Sequence, residues 1–189
     1  PQDDSNAPVP GAHPNPIKRW PCYPEYIREA FIRTFSQGMR DPNRRISEHE
    51  WKKLFVRLRG EIWSCISCDQ EILMHRIRAQ DGVFECGNCK TKLSFPLKIA
   101  LNGYEVHLFP HNKLYKCHTA KAGDDAISIT GEVLRNKKTG VWGIKNLSGL
   151  SWMATTPDGM TTVIKEGEVL PVAEGLRVDF AGERGVITR

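Results

Sequence analysis

Apolar residues recur at helical spacing only in the first third of the chain. Ile27, Phe31 and Phe35 stand on one stripe, with Ala30 and Thr34 beside them and Arg28, Glu29 and Arg33 on the other side. That pattern predicts an amphipathic helix from Pro24 to near Gly38. Trp51, Leu54, Phe55, Leu58 and Ile62 fall at i, i+3, i+4, i+7 and i+11 and predict a second helix. Ser47 is its N-cap, and Glu50 completes a capping box. Between the two, Asp41-Pro-Asn-Arg-Arg45 reads as a turn. Prolines at positions 1, 8, 10 and 14 predict an extended lead-in up to Asn15, because proline removes backbone donors.

After Ile62 the helical period is lost. Glu71 to Arg78 reads as a strand, Gln80-Asp81-Gly82 as a tight turn and Val83 to Glu85 as the returning strand. From Leu97 onward the chain reads as all-β. Strands are expected at Leu97–Leu101, Tyr104–Phe109, Ile127–Leu134, Val141–Asn146, Ser151–Thr155, Thr161–Ile164 and Arg177–Phe180. Asn102-Gly103, Lys138-Thr-Gly140, Pro157-Asp-Gly159, Glu166-Gly167 and Glu174-Gly175 punctuate them, which is the rhythm of an antiparallel sandwich or barrel. The expected fold class is multidomain α+β: a helical segment over 1–61, a ribbon over 62–96 and an antiparallel β-sandwich over 97–189.

Composition adds two constraints. The chain is 26% charged and 40% hydrophobic, a soluble globular composition with no run approaching a membrane span. Its net charge of +5 is concentrated: residues 17–60 carry 11 basic and 5 acidic side chains, and the rest is nearly balanced. The first residue is proline and no signal peptide opens the sequence, so a processed product or a fragment of a longer cytoplasmic protein is expected.

The strongest chemical signal is four cysteines. Cys65-Ile-Ser-Cys68 and Cys86-Gly-Asn-Cys89 are two C-x-x-C knuckles with 17 residues between them. The short gap lets both thiolates of a knuckle face one ion, and two knuckles complete a tetrahedral sulfur site for a single Zn²⁺. The expected layout is a zinc ribbon with a hairpin between the knuckles, Gly87 supplying the permissive backbone of the second. Four sulfur ligands leave no position for water, so the site is structural. His75 lies between the knuckles but the shell is already full. Cys22 and Cys117 read as ordinary thiols, and His107, His111 and His118 as scattered surface and core histidines.

No phosphate-binding glycine loop, nucleophile elbow or zincin motif is present, so no catalytic residue and no bound cofactor beyond the metal is assigned. The basic residues Arg44, Arg45, Lys52, Lys53, Arg57 and Arg59 raise an alternative, a zinc-ribbon protein that binds nucleic acid through its helical segment. Charge around the knuckles opposes it: Glu61, Asp69, Glu71, Asp81 and Glu85 nearly offset Arg76, Arg78, Lys90 and Lys92.

Residues 13–58 resemble the last two helices of a Ser/Thr protein kinase C-lobe. The match rests on Tyr23-Pro-Glu-Tyr-Ile-Arg-Glu-Ala-Phe31, on Gly38-Met-Arg-Asp41-Pro-Asn-Arg-Arg45-Ile-Ser47 and on Glu50-Trp51. In such kinases a D-P-x-x-R turn precedes the final helix; Asp41, Arg45 and Trp51 take the matching structural positions. The A-P-E, H-R-D, D-F-G and glycine-rich motifs are absent, so ATP would belong to the missing part of a parent kinase.

A kinase tail followed by a ribbon and a β domain is similar to bacterial kinases encoded with a protein phosphatase and a von Willebrand A-type protein, a triad linked to tellurite resistance and stress response. Gly140 to Ser148, Asp158-Gly159, Glu166-Gly167 and Gly175 to Phe180 resemble the later strands of a forkhead-associated (FHA) sandwich. The resemblance implies a non-catalytic docking region with protein partners, that phosphatase and von Willebrand A-type protein among them, and neither nucleic acid nor membrane. The phosphate-reading Gly-Arg pair and S-x-x-H of FHA modules are missing after Gly60.

Overall fold

In the computed structural model, which describes residues 8–77, 82–121 and 124–189, the capping box is closed. The Ser47 amide and hydroxyl each donate to the Glu50 carboxylate at 2.8 Å, and the Glu50 amide donates back to the Ser47 hydroxyl at 3.2 Å. They open α4 (Glu48–Gly60). Ahead of it lie α1 (Pro14–Arg19), α2 (Glu25–Ile32), a π-helical turn over Arg33–Gln37 and α3 (Gly38–Arg40). Residues up to Leu58 form one compact unit and those from Arg59 a second.

The lead-in therefore ends earlier than expected. Pro14 and Pro16 sit in the first turn of α1, where a missing amide costs no hydrogen bond. Residues 1–7 lie outside the described ones. The stripe of α2 is graded: Ile27 is buried, whereas Phe35 is 60% exposed. Phe31 links Trp20, Phe35 and Trp51 through ring contacts of 6.1, 5.8 and 4.9 Å. In α4 the buried position is Val56 and not the expected Phe55, and Ile62 is not helical at all; it begins a strand.

The second unit starts with two short hairpins. β1 (Ile62–Ser64) pairs with β2 (Glu71–Leu73), and β3 (Val83–Glu85) pairs with β4 (Lys92–Ser94), both antiparallel. This corrects the expected layout of one hairpin strung between the knuckles. Each knuckle instead forms the tip of its own hairpin. The expected strand from Glu71 to Arg78 stops at Leu73 and turns into a single 3₁₀ turn, Met74–Arg76. Arg78, Gln80 and Asp81 lie outside the described residues.

The remaining strands are β5 (Leu97–Leu101), β6 (Tyr104–Leu108), β7 (Lys113–Tyr115), β8 (Ile129–Arg135), β9 (Trp142–Asn146), β10 (Trp152–Thr155), β11 (Thr161–Ile164), β12 (Val169–Pro171), β13 (Arg177–Asp179) and β14 (Arg184–Thr188). One sheet runs β11-β10-β13-β14-β5-β6 and the other β12-β9-β8-β7, with every pairing antiparallel. One turn of helix, α5 (Lys116–Thr119), follows β7. Ile99, Leu108, Leu114, Val133, Ile144, Trp152, Val178 and Ile187 fill one shared core of buried residues. Alternation along each strand sends these side chains inward. The last strand closes the unit by pairing Ile187 with Ile99.

A second cluster joins the hairpins to the sandwich. Trp63, Ile72, Met74, Phe84 and Leu93 pack with Phe109, and Trp142 lies against them. The chain is thus a mixed helix-and-sheet protein with antiparallel sheets and a cysteine cluster. Among the described residues no helix is long and apolar enough to cross a membrane.

Candidate metal centre

The two hairpin tips are built alike. The Cys65 amide donates to the Gln70 carbonyl and the Asp69 amide to the Cys65 carbonyl, both at 2.9 Å. One knuckle later, the Cys86 amide donates to Thr91 at 2.9 Å and the Lys90 amide to Cys86 at 3.0 Å. The residue after each second cysteine is left-handed: φ is 55° at Asp69 and 61° at Lys90. Gly87, expected to supply that freedom, is not among the residues with positive φ. The turn reverses one residue beyond the C-x-x-C, at positions whose side chains give little hint of it.

These turns bring the four thiols together. Every sulfur lies within 4.8 Å of the others, with Cys65 Sγ to Cys89 Sγ at 3.6 Å and Cys68 Sγ to Cys86 Sγ at 3.8 Å. A tetrahedral ion with metal–sulfur bonds of about 2.3 Å holds its sulfurs about 3.8 Å apart. The cluster fits a metal ion on that measure. Cys65 and Cys86 are fully buried against the aromatic core, while Cys89 is exposed.

Backbone amides and neighbouring hydroxyls set the thiol acidities. The Thr91 hydroxyl, 3.2 Å from Cys89 Sγ, and the Thr91 amide bring that thiol down to about 6. The amides of Cys89 and Asn88 lower Cys86. The Ser67 amide favours the Cys65 thiolate, but burial and the adjoining sulfurs raise it to about 11. Thiolates this close repel one another, so a full set of four calls for a cation between them. The Asn88 side-chain Nδ2 also donates to Cys68 Sγ at 3.6 Å. Thr91 and Asn88 were not singled out from the sequence; their place beside the knuckles was the available signal.

The other residues named from the sequence stand elsewhere. Among the described residues no other group of His, Cys, Asp or Glu converges as a metal site. His75 faces Glu61, Nδ1 to carboxylate 4.0 Å. Cys22 donates to the Lys18 carbonyl, and Cys117 is buried. His107 is nearly buried, His111 is exposed, and His118 is buried in α5, so the three do not meet. In the helical unit, Asp41 accepts from the Asn43 amide at 3.0 Å. Arg45 is exposed and donates through Nε to the Gly38 carbonyl at 2.7 Å. A Cβ on Gly38 would lie 2.7 Å from Arg45 Cγ, so glycine is what permits that approach. Trp51 sits between Phe31 and Phe55.

No protein-family model matches this sequence, and neither a curated protein nor a solved structure matches the chain.

Proposed function

We propose that the chain is the non-catalytic docking region of a bacterial Ser/Thr protein kinase, in which one structural Zn²⁺ on Cys65, Cys68, Cys86 and Cys89 rigidifies a partner-binding module. The observation that supports the metal-linked module of this reading is the sulfur geometry, 3.6 and 3.8 Å across the knuckles, inside a shell closed by four cysteines. Bound there, the ion supplies cross-linking of two hairpins that are too short to hold themselves. Among metals, all-sulfur tetrahedral sites suit zinc or iron; two C-x-x-C knuckles at this separation are the usual ligand spacing of structural zinc, which favours zinc.

The FHA-like reading of the β domain draws on the two-sheet antiparallel sandwich and on the motif residues within it. Asn146 is fully buried and its amide donates to Leu150 and Ile164 carbonyls at 2.7 and 3.0 Å. Its Oδ1 accepts from the Ser148 amide and hydroxyl, and Ser148 Oγ accepts from the Trp152 indole at 3.0 Å. Asp158-Gly159 turns with φ of 91° at the glycine. In this protein those residues brace the scaffold. Cytoplasmic phosphorylation signalling, with the von Willebrand A-type protein and the phosphatase as partners, completes the proposal.

The experiment is a binding titration of the purified chain against those two partner proteins, before and after chelation, with metal content measured alongside. Binding that is lost when chelation strips one zinc per chain supports the proposal. Failure to bind either partner removes the docking role, and a metal content far below one removes the zinc.

A further inference from the structure

Arg59, at the end of α4, lies with its guanidinium carbon 3.6 Å from the centroid of the Tyr115 ring, and one Nη donates to the Ala126 carbonyl at 3.0 Å. Stacking of this kind fixes the orientation of the guanidinium fork. Beside it a cleft of about 610 Å³ opens between the first hairpin and the β6–β7 connection. That is the volume range of a ligand pocket. Ile62, Ile66 and Tyr115 give it apolar wall, and Arg59, Lys113 and Asp69 give it charge. Among the described residues neither Arg59 nor Lys113 forms an ion pair; the nearby Glu132 lies 3.8 Å from His111.

Two strand edges border this cleft, and they differ. On β7 the outward amides are already taken: Lys113 donates to Asn112 Oδ1 at 2.9 Å and Tyr115 to His118 Nδ1 at 3.1 Å. The bonds at the two ends of β1, Cys65 amide to Gln70 and Met74 amide to the Glu61 carbonyl, fix the phase of its ladder with β2, in which Trp63 faces Ile72 as the bonded pair between them. Antiparallel alternation then turns the peptide groups of Ile62 and Ser64 to the open side. One edge is sealed by its own side chains and the other is available.

We propose that this cleft binds an extended segment of a partner polypeptide, its main chain pairing with Ile62 and Ser64 and an anionic side chain, carboxylate or phosphate, seated at Arg59 and Lys113. The inference takes from the docking role only that the partner is a protein. A nucleic-acid strand is a poorer occupant, because it wants a track of cations along its backbone, whereas this cleft offers two and carries Asp69. An added strand gains affinity from main-chain bonds and specificity from the side chains it seats.

The test is a set of ¹⁵N spectra of the metal-loaded full chain titrated with short acetylated Val-X-Val peptides, where X is Glu, phosphoserine or Gln. A single-stranded oligonucleotide is run as competitor. The Glu or phosphoserine peptide should shift Ile62, Ser64 and Arg59 Nε, and the Gln peptide should bind roughly tenfold more weakly, the worth of one charge-assisted bond. Preference for phosphoserine over Glu identifies phosphate as the anion, and equal binding identifies any carboxylate. Arg59→Gln should erase the preference at unchanged zinc content; Lys113→Gln, on a separate element, should weaken it. Equal binding of the Gln peptide, shifts confined to other residues, stronger competition by the oligonucleotide, or no shift at millimolar peptide would each overturn the proposal. Loss of the two partner proteins alone, with these shifts intact, fails the docking role and leaves the cleft standing.

Discussion

Trp63 of β1 stacks on Phe109, which follows β6, with ring centroids 5.5 Å apart and planes 21° from parallel. The same indole meets Phe84 of the second hairpin edge-on at 5.4 Å and Trp142 of β9 at 6.3 Å. One buried side chain therefore ties both cysteine-bearing hairpins to the sandwich. Large aromatic-to-alanine changes in cores cost about 3–5 kcal/mol. Trp63→Ala is expected to lose about that much and to shift the unfolding of hairpins and sandwich together. Far-UV circular dichroism and a fluorescent probe on the sandwich, followed through urea, check this. A sandwich transition that stays in place would show the two parts to be energetically separate.

Metal removal should act through the same contact. Structural zinc contributes about 10–16 kcal/mol of apparent binding free energy in small peptides at neutral pH, far beyond what two three-residue strand pairs can supply. Chelation, or Cys86→Ser, is expected to unfold both hairpins and expose Trp63, read as a red shift of its emission. Cobalt replacing zinc should give the visible absorption of a tetrahedral sulfur site. A purified chain with well under one metal ion, folded and with Trp63 still buried, contradicts the assignment.

The left-handed residues make a sharper test of the knuckle geometry. A Cβ added at Gly87 meets nothing within 4 Å, and its φ is not positive. Gly87→Ala should therefore leave metal affinity and stability nearly unchanged. Lys90, at φ 61°, is the strained position. A β-branched residue there is costly, since left-handed backbone costs about 1–2 kcal/mol per residue and branching adds to it. Lys90→Val should weaken metal binding, and Lys90→Gly should match or exceed the wild type in a competition titration.

These two positions also show where the sequence stops being legible. The C-x-x-C spacing is a covalent constraint on four sulfurs, so the cluster was readable from residue order. Which residue reverses the turn is decided by hydrogen bonds to Cys65 and Cys86, and Asp and Lys carry no mark of it. The capping box closed as read because its partners are three residues apart and need no tertiary context. In α4 Val56 is buried and Phe55 of the apolar stripe is not, because burial depends on what packs there. β7 and β12 are three-residue strands with no room for alternation, and Gly185 interrupts the strand pattern of β14. That glycine is needed because Ile99 approaches within 2.7 Å of where its Cβ would be. The open edge of β1 exists only once the register with β2 is known.

His118 links the sandwich to pH. Burial, with the Arg59 charge adding to it, lowers its pKa to about 4. Its Nδ1 accepts from the Tyr115 amide, so the neutral ring is the form the fold uses. The unfolded histidine titrates near 6.5. Between about 6.5 and 4 the unfolded chain binds the extra proton, so stability falls as pH drops through that window and levels below it. The loss from this group is about 3 kcal/mol, taking 1.36 kcal/mol per unit. His118→Asn, which keeps an acceptor near the Nδ1 position, should flatten that part of the curve. The comparison is best made on chains with matched metal content, because acid also protonates the cysteines.

The loop before β8 leads to the last expectation, which is negative. Asp125 accepts from the amides of Ile127 and Ser128 at 2.9 and 2.8 Å. The Ser128 hydroxyl, with those amides, holds the carboxyl down to about 2, so it is ionised at any physiological pH. Thr130 is buried and its hydroxyl accepts from Thr119 at 3.0 Å. The hydroxyls of this loop are thus committed to partners within the fold, and a fixed negative charge stands beside Ser128. A phosphate arriving there would meet like-charge repulsion in place of the charge-assisted bonds that phosphopeptide sites provide. Trp142 and Trp152 offer no substitute surface: Trp152 is fully buried and Trp142 packs against Trp63, leaving Met153 as the exposed member of that group. A phosphothreonine peptide library titrated against the full chain is expected to show no phosphate-dependent affinity that maps to Ser128, Thr130 or Ser148. Low-micromolar, phosphate-dependent binding that is lost with Ser128→Ala would show that this loop reads phosphothreonine after all.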